Sequence, residues 1–422
     1  MIPSRMRRGF NAFQEPPITA TERRTFVLDT IRLSTDGFAS SLSQTLVLVI
    51  AINVFAVSDS FKSLLSSAPY AGFLFSLFFA AALSGRSLRP SAVAGALGLV
   101  TGVMYATAAL ANSPIAYASL VVLAMIVMQF RLPFTASIHA RNYPAARRGR
   151  RFSVGLILGF SVALLFDLAA GALLEADINR YPLLFVVAGI GIAGGSMALW
   201  FVPSGPETVT HSTNPFKNLR FLRTDRLFRR LLLGWFVLGL GNLWTVPLRV
   251  VYLAEAERGL GLSPFWVVFI AGVLPQAIRF IFGRVWGVFF DRMNLVTIRV
   301  ILGCLTGVGI FIFFSTTRVW VMVFGQTVFS IGSAGSMILW SLWVTRVAPR
   351  EKTPIYMSIH TFMTGLRGMV GPSLGFLAIS VVSFRTIGTI TLVAILLAMS
   401  SLLPLRKDQR VAAPNQRLGK SK

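Results

Sequence analysis

Apolar runs about as long as a membrane crossing repeat along almost the whole chain, each closed by charges, proline or glycine. They fall at roughly 35–57, 61–84, 90–111, 114–139, 152–174 and 181–202, and, after a polar interval, at 229–254, 263–290, 296–315, 318–345, 354–380 and 384–404. A spanning helix needs about 20 predominantly apolar residues, so the pattern predicts twelve of them with short connections. The reading is an all-α integral membrane protein of two pseudo-symmetric six-helix bundles. It divides the chain into an N-terminal segment (1–34), a first bundle (35–202), a linker (203–228), a second bundle (229–404) and a basic tail (405–422). Pro203, Pro206 and Pro215 mark the linker, followed by the basic run Lys217, Arg220, Arg223, Arg226, Arg229 and Arg230.

Composition and charge sharpen this. Of 422 residues, 55% are hydrophobic and 13% charged, against about 25% charged in ordinary globular domains, which excludes a string of soluble domains. Cys304 is the single cysteine, so no disulfide framework can form within the chain. The net charge of +25 would suit nucleic acid, but its distribution argues for topology. Of 40 Lys and Arg, 31 fall on the segments that carry the termini and the linker, 5 on the opposite loops and 4 within spans. Since these residues accumulate in cytoplasmic loops, the chain is expected to run N-in and C-in. The charge then attracts anionic inner-leaflet lipids, and no nucleic-acid partner is expected. No signal-peptide run precedes Thr35, so the expected location is the cytoplasmic (inner) membrane if the protein is bacterial.

The two halves share a register. Arg141-Asn142-Tyr143-Pro144 followed by Arg147 matches Arg346-Val347-Ala348-Pro349 followed by Lys352 at an offset of 205 residues, and Gly85-Arg86 matches Asp291-Arg292 at an offset of 206. Duplicated halves of this kind are common in transporters.

Gly287-Val288-Phe289-Phe290-Asp291-Arg292, continuing to Arg299, resembles the G-x-x-x-D-R-x-G-R loop of the major facilitator superfamily in its second-half copy. The first-half copy departs from it, with Ala81 and Gly85 where the pattern has its glycine and aspartate, leaving Arg86 and Arg89. The resemblance spans roughly residues 33–405 and implies a secondary transporter that rocks its halves about a central site. It assigns gating to Gly287, Asp291, Arg292 and Arg86, with the Asp291 carboxylate engaging the start of the fifth helix. Gly371-Pro372-Ser373-Leu374-Gly375 looks like the G-P-x-x-G pattern of antiporters, but it lies in the eleventh helix rather than the fifth.

Charges within the spans supply the candidate site. Arg131, Arg249, Arg279 and Arg367 each cost about 2.5–3.5 kcal/mol at a helix centre, so each should face a cavity or a partner. At 1.5 Å per residue, Arg279 lies about 18 Å from Asp291 and Arg367 about 20 Å from Thr353, near mid-membrane, with Arg131 about 15 Å from Arg141. These three are the candidate substrate residues, whereas Arg249, near Glu255, can snorkel. Asp167 and Asp36 are the candidate proton-coupling carboxylates; His139 and His360 suit polar lining.

With three histidines and no ligand cluster, no metal, cofactor or enzymatic activity is expected. Without a Walker loop, the expectation is secondary transport of a small solute, coupled to protons or sodium. Arginines without matching buried carboxylates favour an organic anion. A proton-coupled drug or sugar transporter of the same fold and a non-transporting receptor or assembly partner are the alternatives.

Overall fold

The structure is a computed structural model that describes residues 17–83, 85–208, 220–349 and 352–412. Among the described residues, twelve helices are long and apolar enough to cross a membrane. The first bundle comprises α1 (Ala20–Asn53), α2 (Asp59–Ala82), α3 (Pro90–Ala108), α4 (Pro114–Asn142), α5 (Arg147–Ala176) and α6 (Ile178–Trp200). The second comprises α7 (Arg226–Ala254), α8 (Pro264–Gly283, its helix continuing to Arg292), α9 (Leu295–Phe314), α10 (Val319–Val347), α11 (Ile355–Ile379) and α12 (Phe384–Lys407). An even number of crossings puts the start of α1 and the end of α12 on one face, here the terminal face; the other is the far face.

Within the bundles, α1 packs on α5 and α6, α3 on α4 and α6, α7 on α11 and α12, and α9 on α10 and α12. The bundles meet mainly through α2 against α11 and α5 against α8. Small residues allow the tightest approach: a Cβ on Gly102 would stand 2.6 Å from the Gly189 carbonyl oxygen, and one on Gly189 equally near that of Gly102. Close backbone contact of this sort takes the place of a hydrophobic drive between helices in lipid.

Helix α1 begins fifteen residues before the start expected from the apolar run, at Ala20, with Thr19 accepting from the Glu22 amide as its cap. Hydropathy hid this stretch because its charges point inward and pair. Glu22 accepts from Arg147 at 2.7 and 3.0 Å, and Arg32 donates to Asp29 at 2.7 Å and to Asp36 at 2.6 Å. Asp29 also meets His139 at 2.7 Å. The helical spacing of Glu22, Asp29 and Asp36 places all three towards α4 and α5, where they meet Arg147, His139 and Arg131 respectively.

Three helices depart from regular α geometry near mid-membrane. In α4, residues 130 and 131 form a turn ahead of a second segment, Leu132–Asn142, because Pro133 has no N–H for the helical ladder. Helix α1 contains a π turn at Leu42–Leu46, and α8 contains one at Phe269–Val273, next to Pro275. The two π turns touch across the bundle interface. Such turns break the regular ladder and concentrate at functional sites.

On the terminal face, Ser87–Leu88 pairs antiparallel with Glu207–Thr208, tying the first-half loop to the linker. Gly85 has φ 80°, a backbone that disfavours a residue with a Cβ and accounts for glycine where the superfamily loop has aspartate. Residues 405–411, the start of the expected basic tail, fold back on the bundle: Arg410 donates to Asp225 at 2.8 and 3.1 Å. Asp225 also caps α7 by accepting from the Phe228 amide at 3.0 Å. Burial pushes its carboxyl up, but the bonds from Arg410 and Phe228 outweigh that and hold it below the usual carboxylate range.

Candidate functional site

A cavity of about 300 Å³ lies between the bundles, walled by α1, α2, α7, α8, α10 and α11. Two guanidinium groups face it, Arg249 from α7 and Arg279 from α8. Arg279 donates to Gln44 Oε1 at 3.0 Å and to Gln276 Oε1 at 3.4 Å. Gln44 sits on the π turn of α1, so this bond crosses between the bundles. Arg249 donates to Asn242 Oδ1 at 3.3 Å, and its guanidinium carbon stands 3.5 Å above the Phe329 ring. These partners are neutral, and the Nε of each arginine meets no acceptor. The two charges lie within electrostatic range of each other. The site therefore concentrates positive charge in a largely apolar chamber.

Asp167 is 1% exposed and lies where α5 meets both π-turn helices. Ser41, one residue before the α1 turn, donates to its Oδ1. A Cβ on Gly272, within the α8 turn, would stand 2.9 Å from its Oδ2, which has no hydrogen-bond donor. Arg279 is within electrostatic range but not in contact.

The other expected site residues lie elsewhere. Arg131 is buried inside the first bundle, donating to Asp36 at 2.9 Å beside Arg32, in a smaller cavity of its own. Arg367 is buried inside the second bundle, donating to the Trp235 carbonyl and, at 3.3 Å, to Thr364. Of the three expected substrate arginines, only Arg279 lines the central cavity. Arg249, expected to snorkel towards Glu255, turns inward because Glu255 is already taken by Lys62 and Arg258. A signal was present in the sequence: Asn242 and Thr245 stand seven and four residues before Arg249, on the same helix face.

That engagement closes the far face. Lys62 donates to Glu255, and Arg258 binds Asp59 at 2.6 and 2.8 Å. Each bundle also has its own pair, Lys62 with Asp59 at 3.1 Å and Arg258 with Glu255 at 2.8 Å. Asp59 hydrogen bonds raise the Arg258 pKa above its ordinary value. Further in, Ser63 meets Ser373 at 2.8 Å and Ser67 donates to the Met369 carbonyl at 3.1 Å. Among the described residues, the hydrogen bonds and ion pairs that join the bundles lie at the far face or mid-membrane.

For the expected gating residues, Gly287 has open space where a Cβ would stand, and Arg292 and Arg86 are exposed at helix and loop ends. Asp291 lies in the last turn of α8 by backbone, but its side chain lies outside the described residues. The loop it begins is gripped by Arg346, which donates to the carbonyls of Met293, at 3.1 Å, and Phe290.

Two six-helix bundles around a central, largely apolar chamber that carries two buried arginines, sealed at one face, define a membrane transporter of a small solute. The chain matches the Major Facilitator Superfamily over residues 34–324 and 271–421 and belongs to it. No curated protein matches it significantly. Solved structures share the fold at low identity. A peptide transporter in complex with sulfate superposes with TM-score 0.71 at 13% identity, covering 92% of this chain and 95% of that one. The D-xylose-proton symporter gives 0.69 at 16%, covering 91% and 98%, and the nucleoside transporter NupG gives 0.68 at 10%, covering 93% and 100%.

Proposed function

We propose that this chain is a secondary active transporter of a small organic anion, held by its carboxylate or phosphate group against Arg249 and Arg279. The observation that carries the proposal is the placement of both guanidinium groups on the central cavity with neutral partners only. Removing one charge from water costs several kcal/mol unless a counter-charge offsets it. An anion would supply charge-assisted hydrogen bonds worth about 1.5–3 kcal/mol each, and Phe329 and Tyr70 would offer ring faces to its organic part.

Asp167 is the carboxylate suited to coupling. Asp36 is the counterion of Arg32 and Arg131, whereas Asp167 accepts from a hydroxyl and has one oxygen unoccupied. A proton there would neutralise it while the bound anion neutralises Arg279, so proton and solute change the charge of the interface together. The halves then rock about the cavity, with the far face closed in the state described.

Uptake by proteoliposomes from a panel of carboxylates, phosphate esters, neutral sugars and cationic amphiphiles tests this. Anions are expected to be transported and to compete with one another; transport confined to neutral or cationic solutes would overturn the proposal.

The arginine and lysine distribution supports a cytoplasmic location for the termini and the linker. A cysteine at Ser204, with Cys304→Ser as background, is expected to be labelled by an impermeant maleimide only after permeabilisation. Labelling in intact cells would invert the topology.

A further inference from the structure

The second bundle contains a cluster of buried donors that the transport cavity does not use. Arg299 enters from the first turns of α9 and is 1% exposed; its Nε, Nη1 and Nη2 all lack a hydrogen-bond acceptor. Its guanidinium carbon stands 3.6 Å above the ring of Trp235 on α7. The Trp235 ring is 5.6 Å from His360 on α11, which is 1% exposed and has no side-chain partner on either ring nitrogen, the Trp340 backbone being its one polar neighbour of that kind. Trp343 on α10 is fully buried, 5.3 Å from the same imidazole, and its Nε1–H is also unpartnered. Arg367, 6% exposed, closes the group from the next turns of α11: it donates to the Trp235 carbonyl, and its Nε is unpartnered. Both Arg299 and His360 lie within electrostatic range of Arg367.

Two arginines thus share one tryptophan-walled space, and among the described residues neither forms an ion pair with a carboxylate. Leaving one buried cation uncompensated costs several kcal/mol, and two side by side add mutual repulsion. Water could satisfy N–H groups but not the charge. We propose that the second bundle holds a bound inorganic anion, a halide or a small oxyanion, between Arg299, Arg367, His360 and Trp343. The rings of Trp235, Trp343 and His360 stand only 5.3 to 5.8 Å apart, which limits any ion among them to a monatomic or small polyatomic one and excludes an organic solute. Trp235 lies nine residues into α7, about 14 Å from its start, and Arg299 four residues into α9, about 6 Å from its start. The site therefore lies towards the terminal face, apart from the cavity of Arg249 and Arg279, and the inference does not depend on the substrate being an anion.

Iodide provides the test, because a heavy ion seated beside Trp235 and Trp343 quenches their fluorescence. The purified wild-type protein, titrated with iodide against gluconate at constant ionic strength, is expected to show a saturable quenching component above the linear collisional background. Competition by chloride with none by nitrate or phosphate identifies a halide site; competition by the oxyanions as well identifies a general anion site. Arg299→Gln is expected to remove the saturable component and Arg279→Gln to retain it. Purely linear quenching of the wild type overturns the proposal without any variant needing to fold. Loss of the component in Arg279→Gln but not Arg299→Gln would overturn it too, since iodide would then occupy the transport cavity.

Discussion

Arg279→Gln is expected to weaken binding of a carboxylate-bearing solute about 10- to 150-fold, the equivalent of one charge-assisted interaction of about 1.5–3 kcal/mol. Glutamine keeps a donor near Gln44 and Gln276 but removes the charge that faces the cavity. Arg249→Gln should act in the same direction. The two losses should not add, because the side chains would contact one ligand and sense each other's charge. Calorimetric titration with the transported anion checks this, beside a thermal melt of each ligand-free variant. Wild-type affinity in both single variants, with folding intact, would show that these arginines only fill the chamber.

Asp167→Asn should separate solute movement from the proton gradient. One proton carried per solute lets a gradient of one pH unit, about 1.4 kcal/mol, support at most a tenfold accumulation. In the variant that accumulation is expected to fall to unity, while exchange of labelled for unlabelled solute at equal pH continues. Asparagine retains an acceptor for Ser41 and fits beside Gly272, so loss of exchange as well would mark Asp167 as a structural rather than a coupling residue. Gradient-driven accumulation at the wild-type level would remove it from the coupling scheme.

The twelve helices and the family were legible because lipid exposure forces long apolar runs, and because the loop beginning at Gly287 keeps its spacing. What failed to show was the direction of individual side chains. Depth along a helix placed Arg279 and Arg367 alike near mid-membrane. Azimuth separates them: Arg279 points between the bundles, Arg367 into the core of its own. The buried start of α1 was hidden for a related reason, since Glu22 and Asp29 read as a solvated segment until their partners on α5 and α4 are known, and Arg32 until its pairing with Asp29 and Asp36 along the same helix is seen. The π turns left no local mark that apolar periodicity could reveal. In α1, Gln44 and Ser41 read as isolated polar residues, and only the fold brings them to Arg279 and Asp167.

The four charges at the far face have a bearing on how the transporter cycles. Asp59 and Lys62 belong to one bundle, and Glu255 and Arg258 to the other, and each couple is already joined within its own half. When the halves part, two cross-links are lost but neither carboxylate is left without a cation. Each half carries away a neutral dipole. The latch is therefore electroneutral on both sides of its parting line, and its release moves no net charge through the membrane field. In the proposed cycle, voltage would act through the solute, the proton and the cavity arginines, and it gains no purchase on this closure.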